Sequence, residues 1–174
     1  MALSQGLIQV YSGDGKGKTT AALGQALRSR GRGLKVLVHQ FFKLESEPSG
    51  EMLAASGIVF RRGDFRHPFF DKHADREAIR QKILAALAVV EAELSEGQWD
   101  LVVLDELNNA LRDKFVSWEE LRGLVEGKPA HVELIITGRG APDELLAAAD
   151  YVTEFKKLKH PAERGIAARL GIEF

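Results

Sequence analysis

Eight consecutive residues near the start of the chain, Gly13-Asp14-Gly15-Lys16-Gly17-Lys18-Thr19-Thr20, bring glycines, lysines and hydroxyls together. They follow a short apolar, β-branched run, Leu7-Ile8-Gln9-Val10-Tyr11, and open an Ala- and Leu-rich segment from Thr19 to Arg30. A strand, a glycine-rich turn and a helix in that order make a phosphate-binding loop. Glycines let successive backbone N–H groups turn toward one anion, and the helix N-terminus adds free donors and partial positive charge. Lys18 is placed to neutralise phosphate oxygens, Thr19 to offer its hydroxyl to magnesium, and Thr20 to hydrogen-bond a phosphate. The expected ligand is the triphosphate of ATP with Mg2+. The front of this loop is short, because the usual spacing puts a glycine at position 12 and the chain has Ser12.

Two further clusters could serve the same ligand. Leu101 to Leu104 is an apolar run that ends in Asp105-Glu106. In nucleotide-binding sheets an acid at such a strand end holds magnesium directly or through water. Asp105 could instead start the helix that contains Leu107 and Leu111. Adjacent side chains point in different directions, so one of the two acids is expected to face the ion. Thr137-Gly138-Arg139-Gly140 also follows an apolar run, and an arginine between two glycines could clamp phosphate bidentately.

The elements that must position these residues alternate along the chain. Strands are expected at Leu7 to Tyr11, Leu34 to Phe42, Ile58 to Phe60, Leu101 to Leu104, Val132 to Thr137 and Tyr151 to Phe155. Helices are expected at Thr19 to Arg30, Gly50 to Ser56, Ala74 to Glu96, Trp118 to Glu126 and Pro142 to Ala149. In the longest of these, Ile79, Ile83, Leu87, Val90 and Leu94 form one apolar stripe. Continuous apolar strands alternating with helices predict an α/β fold: a single-domain parallel β-sheet covered by helices. Ligands of such sheets bind beyond the carboxyl ends of the strands, where all three clusters fall.

Composition narrows the class. The chain has 174 residues, enough for one domain that buries roughly 70% of its unfolded surface. Its net charge of −1 gives no global basic field, so no nucleic-acid partner is expected. It has no cysteine, which excludes disulfides, thiolate metal sites and cysteine nucleophiles. Met1 to Gly6 lacks the pattern of a signal peptide, and no apolar stretch approaches the roughly 20 residues of a membrane helix. A cytoplasmic, soluble protein without membrane attachment is expected.

Taken together, these residues resemble the ATP:corrinoid adenosyltransferases of vitamin B12 synthesis and cobinamide salvage. The short-fronted loop Gly13 to Ala22 is similar to that family's. So are Val38-His39-Gln40-Phe41-Phe42-Lys43, Asp100 to Leu111 with Asp105-Glu106-Leu107-Asn108, and Ile135 to Pro142 with Thr137-Gly138-Arg139-Gly140-Ala141-Pro142. Lys159-His160-Pro161 and Gly171-Ile172-Glu173-Phe174 complete a match over nearly the whole chain.

The resemblance implies a P-loop fold of the recombinase-like type and attack of a reduced corrinoid, cobalt(I), on the 5′-carbon of ATP, with triphosphate leaving. It implies that Gly13, Asp14, Gly15, Lys16, Gly17, Lys18, Thr19, Thr20 and Arg139 bind the nucleotide. Lys18 and Arg139 would be catalytic, and Thr19 and Glu106 would hold magnesium. It also implies a homodimer and a reduced flavin or flavodoxin-type electron donor. The chemistry suits these residues: cobalt(I) is a strong nucleophile and needs no base, so the protein aligns the reactants and stabilises the leaving group.

One segment departs from the family pattern. Where relatives carry Gly-x-Gly-Phe-Thr-Trp over the corrinoid, this chain has Arg62-Gly63-Asp64-Phe65-Arg66-His67, with no Trp. Phe65 is the candidate for the first aromatic, with Phe69 and Phe70 as further corrinoid-facing candidates; core packing is the alternative for all three. His67 and His73 are read as solvated loop histidines, with contact to or ligation of cobalt as the alternative. Arg61, Arg62 and Arg66 are read as a solvated charge run, with the corrin's polar rim or a reductase as the alternative partner. Trp99 and Trp118 are read as packing residues. Two rival functions are an ordinary P-loop ATPase or small-molecule kinase, and a non-catalytic ATP and corrinoid binder.

Overall fold

The computed structural model describes residues 3–42, 49–65, 67–68, 74–169 and 171–172. Phe69, Phe70, Lys43, Arg66 and His73 lie outside the described residues.

The strands form where the sequence is most apolar. They are β1 (Ile8–Ser12), β2 (Val36–Gln40), β3 (Val59–Arg62), β4 (Leu101–Asp105), β5 (Glu133–Thr137) and β6 (Tyr151–Glu154). All pair in parallel in one sheet of order β3-β2-β4-β5-β1-β6. Every residue of β2 and β4 is buried, as expected of central parallel strands covered on both faces. The edge strand β6 leaves all four of its residues exposed.

Helices cover the two faces unequally. Ala22 and Ala26 of α1 (Lys18–Gly31) and Leu53 of α2 (Ser49–Ala55) pack on Val36, Val38, Leu101, Val103 and Ile135. The opposite face carries α3 (Arg76–Ser95), α4 (Leu107–Arg112), α5 (Trp118–Glu126) and α6 (Asp143–Ala148). The stripe Ile79, Ile83, Leu87, Val90 and Leu94 is buried along α3, as its spacing predicts. Asp75 caps α3 by accepting from Glu77 N and Ala78 N, and Ser117 with Glu120 forms a capping box on α5. Trp99 donates to Glu93 and packs, with Trp118, at the edge of the α3–α6 core, in keeping with their reading as packing residues.

Strand ends move by a residue or two from the sequence reading. β3 extends to Arg62, since Arg61 and Arg62 continue the ladder opposite His39 and Gln40 of β2. Arg61 also pairs with Glu93 of α3 through both guanidinium nitrogens, at 2.9 and 2.5 Å. Arg61 is therefore part of a half-buried ion pair, not of a solvated charge run. The acids also divide differently: Asp105 ends β4, and Glu106 is the residue that precedes α4.

His39 of β2 has only 6% of its surface exposed and stacks on Phe41 at 4.6 Å between ring centroids. Burial pushes its pKa down to about 4, nearby Arg61 pushes the same way, and Glu93 opposes. A free imidazole takes its proton near pH 6.5. Between pH 6.5 and 4 the unfolded chain therefore binds a proton that the folded chain does not, and stability falls as the pH falls. The full effect is roughly 3 kcal/mol. Urea titrations should show the wild-type chain losing more stability than His39→Leu between pH 6.5 and 4.5, with equal losses refuting the neutral, buried assignment.

Candidate active site

The glycines of the phosphate loop are set by how closely another strand approaches. Gly13 has φ +97° and Gly17 φ +115°, in the half of backbone space that side chains avoid. A Cβ on Gly13 would stand 2.5 Å from Phe155 O, and one on Gly15 2.6 Å from the same oxygen. Gly15 N donates to Phe155 O at 2.6 Å, and Phe155 N donates to Ser12 O at 2.8 Å. The segment after β6 thus braces the loop from outside. Ser12, standing where the usual pattern has glycine, accepts from Ala141 N at 3.3 Å and ties the loop's entrance to the turn after β5.

Lys18 opens α1 with 7% of its surface exposed. Its Nζ donates to Gly13 O and Gly15 O, both at 2.8 Å, which holds the ammonium across the mouth of the loop. Burial lowers its pKa, and Glu106 is the strongest of the charges that oppose this; Arg139 adds to the lowering, and Asp14 and Asp105 oppose it more weakly. Those influences bring Lys18, Glu106 and Arg139 into one electrostatic neighbourhood, although they come from three different strand ends. Thr19 is half-buried beside Lys18, while Thr20 and Lys16 are exposed. Asp14 is exposed too, and its carboxylate accepts from Lys157 N at 3.1 Å, which lowers its pKa.

Asp105 has no exposed surface. Its Oδ2 accepts from Gln40 Nε2 at 2.8 Å and its Oδ1 from Thr137 Oγ1 at 2.6 Å. The Thr137 oxygen in turn accepts from Glu106 N at 3.0 Å. Glu106 has φ +66°, an uncommon conformation for a residue with a side chain, and it turns the chain sharply from β4 into α4. Its carboxylate accepts from Asn109 Nδ2, whose Oδ1 accepts from Arg139 N at 2.7 Å. Asn108 Nδ2 donates to Tyr11 O at 3.4 Å and Gly138 O at 3.3 Å. The Arg139 side chain is exposed, and its backbone is fixed from below by Asn109.

The site thus brings Lys18 within the electrostatic reach of Glu106 and Arg139, with Thr19 next to Lys18 in the chain. Asp105, an open alternative in the sequence, is a buried anchor and not a helix cap. Thr19 and Glu106 offer hydroxyl and carboxylate oxygens, the donors a hard divalent cation takes. Among the described residues no group of three or more His, Asp or Glu could hold a metal. A cation at Thr19 and Glu106 would therefore complete its shell from phosphates and water, as magnesium commonly does. Sequence reading gave no role to Gln40, Thr137, Asn108 or Asn109. The signal for Gln40 and Thr137 was a polar residue closing an otherwise apolar strand.

Phe65 is buried, with 7% of its surface exposed, and packs edge-on to Phe42 at 5.5 Å and near Phe41 at 6.5 Å. His67 is not a solvated loop histidine. Its ring meets Phe42 at 4.9 Å and Phe115 at 6.1 Å, and its Nε2 lies 2.6 Å from Asp113 Oδ2. Arg112 also binds Asp113 at 2.7 and 2.6 Å, which holds that carboxylate below its usual range, with His67 contributing.

A glycine-rich loop between β1 and α1, a lysine opening α1 and an acid after the β4 strand end define a P-loop nucleotide-binding α/β protein. Residues 4–174 match the model of the family described as ATP:corrinoid adenosyltransferase BtuR/CobO/CobP. The chain is 36% identical over 172 residues to the Corrinoid adenosyltransferase CobA of Salmonella typhimurium, covering 98% of this chain and 86% of that protein. It is 35% identical over 177 residues to the Corrinoid adenosyltransferase of Pseudomonas aeruginosa, covering 98% and 84% respectively. The Corrinoid adenosyltransferase of Escherichia coli K12 is 35% identical over 174 residues, with 98% and 86% covered. The chain belongs to the ATP:corrinoid adenosyltransferase family, a family of transferases.

The Thr137 hydroxyl serves two partners that have little access to water. Thr137→Val should therefore cost roughly 1–3 kcal/mol, because it strands the Glu106 N–H and one oxygen of Asp105. Thr137→Ser keeps the hydroxyl and should stay much closer to the wild-type chain in urea denaturation. Equal stability of the valine and serine variants would contradict this role for the hydroxyl.

Proposed function

We propose that this chain transfers the 5′-deoxyadenosyl group of ATP to the cobalt(I) of a reduced corrinoid and releases triphosphate, in making or salvaging the vitamin B12 coenzyme. One observation carries the reading: the buried ammonium of Lys18 shares its surroundings with Glu106 and Arg139 on a loop braced by the segment after β6. That arrangement suits the stabilisation of a departing polyphosphate. Cobalt supplies the electron pair of the new cobalt–carbon bond. The C5′–O5′ bond breaks, and its pair leaves with the triphosphate.

In this reaction the residues from Gly13 to Thr20 hold the triphosphate with backbone N–H groups and the Thr20 hydroxyl. Lys18 and Arg139 would meet the charge that grows on the leaving oxygens, where fixed positive groups stabilise the transition state most. Thr19 and Glu106 would hold a magnesium ion, which when bound supplies further positive charge to the leaving group. Asp105 is too enclosed to act as a base, because both its oxygens already accept hydrogen bonds. This removes Asp105 as the base or water-orienting residue that a kinase or ATPase needs, and leaves Glu106 as the acid such a reading would use.

The corrinoid is proposed to meet the aromatic cluster beyond β2 and β3. Phe65 would shape that face from beneath, through Phe42, with Phe69 and Phe70 as its further candidates by their place in the sequence. The whole chain, residues 1–174, would act as one adenosyltransferase domain in the cytoplasm. Among the described residues no helix is long and apolar enough to cross a membrane. We further propose a homodimer, supported by the exposed apolar side chains Tyr151 and Val152 on β6 and Leu158, Ile166 and Ile172 beyond it. A reduced flavoprotein is the proposed source of the electron that brings cobalt to its nucleophilic state.

The direct test mixes the protein anaerobically with Mg-ATP and chemically reduced cobalt(I) corrinoid, following the visible spectrum and the phosphate products. Adenosylcorrinoid with intact triphosphate is expected. Lys18→Ala should lower kcat/KM by roughly 10²–10³-fold, the cost of losing one preorganised charge at the leaving group. Release of ADP and phosphate would instead identify an ATPase or kinase, and ATP binding without any product would identify a binder.

A further inference from the structure

The C-terminal rim of the sheet carries a row of polar side chains, and for Gln40, Asp105 and Thr137 among them the hydrogen-bond directions are determined. Arg62, Gln40 and Asp105 are register partners across β3, β2 and β4, and Tyr11 and Thr137 across β1 and β5. Side chains alternate along a strand, so Gln40 lies on the same face as Val36 and Val38, the face covered by α1. Lys18 opens that helix, and Asp105, the neighbour of Gln40, is among the charges Lys18 senses.

The directions follow from chemistry. Glu106 N–H can only donate, so the Thr137 oxygen accepts from it and the Thr137 proton is left for Asp105. The Asp105 carboxylate can only accept, so Gln40 must turn its NH2 group toward it, at 2.8 Å. This fixes the orientation of an amide that could otherwise be drawn either way round. The Gln40 carbonyl is the end of the chain. Gln40 has no exposed surface, and its Oε1 meets no hydrogen-bond donor among the described residues. A buried acceptor without a partner is costly, and in native proteins such groups call for an explanation.

We infer that the Gln40 carbonyl is a binding group for the nucleotide complex, accepting a hydrogen bond from an O–H donor beside the phosphate loop. Two carboxylates follow one another at the adjacent strand end, so the field there favours the positive end of a donor. Mg-ATP brings O–H donors of two kinds, a ribose hydroxyl and a water on the divalent cation. Asp105 is the positioning residue in this arrangement. It touches no ligand itself, and it takes up the Gln40 NH2 group so that the carbonyl is the unpaired end of the amide. The inference rests on the nucleotide site proposed above.

The test is calorimetric binding of ATP, 2′-deoxy-ATP and 3′-deoxy-ATP to the wild-type chain and to Gln40→Met, each with Mg2+ and with EDTA. Gln40→Met should weaken Mg-ATP binding roughly two- to tenfold, the usual worth of one hydrogen bond. If the donor is a ribose hydroxyl, the wild-type chain discriminates against one deoxynucleotide and Gln40→Met does not. If the donor is a cation-bound water, the loss is equal for all three nucleotides and disappears in EDTA. Unchanged affinity in Gln40→Met overturns the inference, and so does a loss that is the same for every nucleotide with and without magnesium. A wild-type chain that fails to bind ATP at all would instead sink the nucleotide site itself. A readout that needs no variant is the side-chain carbonyl carbon of Gln40 in 13C-labelled wild-type protein. It should move downfield when Mg-ATP is added, and no movement at saturation counts equally against the inference.

Discussion

The carboxylate of Asp105 is fully enclosed at the end of β4, and an enclosed charge persists only where hydrogen bonds replace its lost water. Here they come from both sides of the strand, from Gln40 on β2 and Thr137 on β5. Three strands are thereby locked in register at the rim where the site is built. The same bonds settle where Glu106 begins. Its backbone N–H is caught by Thr137, its backbone takes a left-handed turn, and its side chain is delivered to the neighbourhood of Lys18. Arg139 follows from the same anchor one step further on, through Asn109.

The phosphate loop depends on a second constraint, the proximity of the chain after β6. Gly13 and Gly15 are glycines because Phe155 O occupies the space where their side chains would be. This gives an account of a loop that begins with Ser12. Ser12 is fixed by the turn after β5, and the first position free of side chain is displaced to Gly13, where Phe155, just after β6, comes closest. A shortened loop front is thus matched by an external brace.

Much of this was legible in the sequence because it is local. The 3.6-residue stripe of α3, the apolar runs of β2 and β4, and the order of strand, glycines and helix at Gly13 to Thr20 each need only neighbouring residues to be read. Family resemblance added Glu106 and Arg139, which local patterns leave ambiguous. What escaped is relational. Nothing near Gln40 in the chain shows that it meets Asp105, 65 residues away. Nothing near Arg61 announces Glu93, nor does anything near His67 announce Asp113, so residues read as solvated prove to be partners across packed elements. Such pairings depend on strand order and helix placement, which a periodic pattern does not contain.

The short helix α4 shows how the two ends of the site are joined. Its preceding residue is Glu106, beside the phosphate loop, and the residue that follows its last turn is Asp113, which binds His67 against Phe42 and Phe115. Leu107, Asn108, Ala110 and Leu111 between them are buried, so the helix has little freedom to move against the sheet. In the proposed reaction the nucleotide is held at one end of this element and the aromatic cluster stands at the other. An attack that needs cobalt, carbon and leaving oxygen in line benefits from a separation fixed by packed backbone. The residues that hold each substrate can then be soft or exposed, as Arg139 is, because the distance between the substrates does not rely on them.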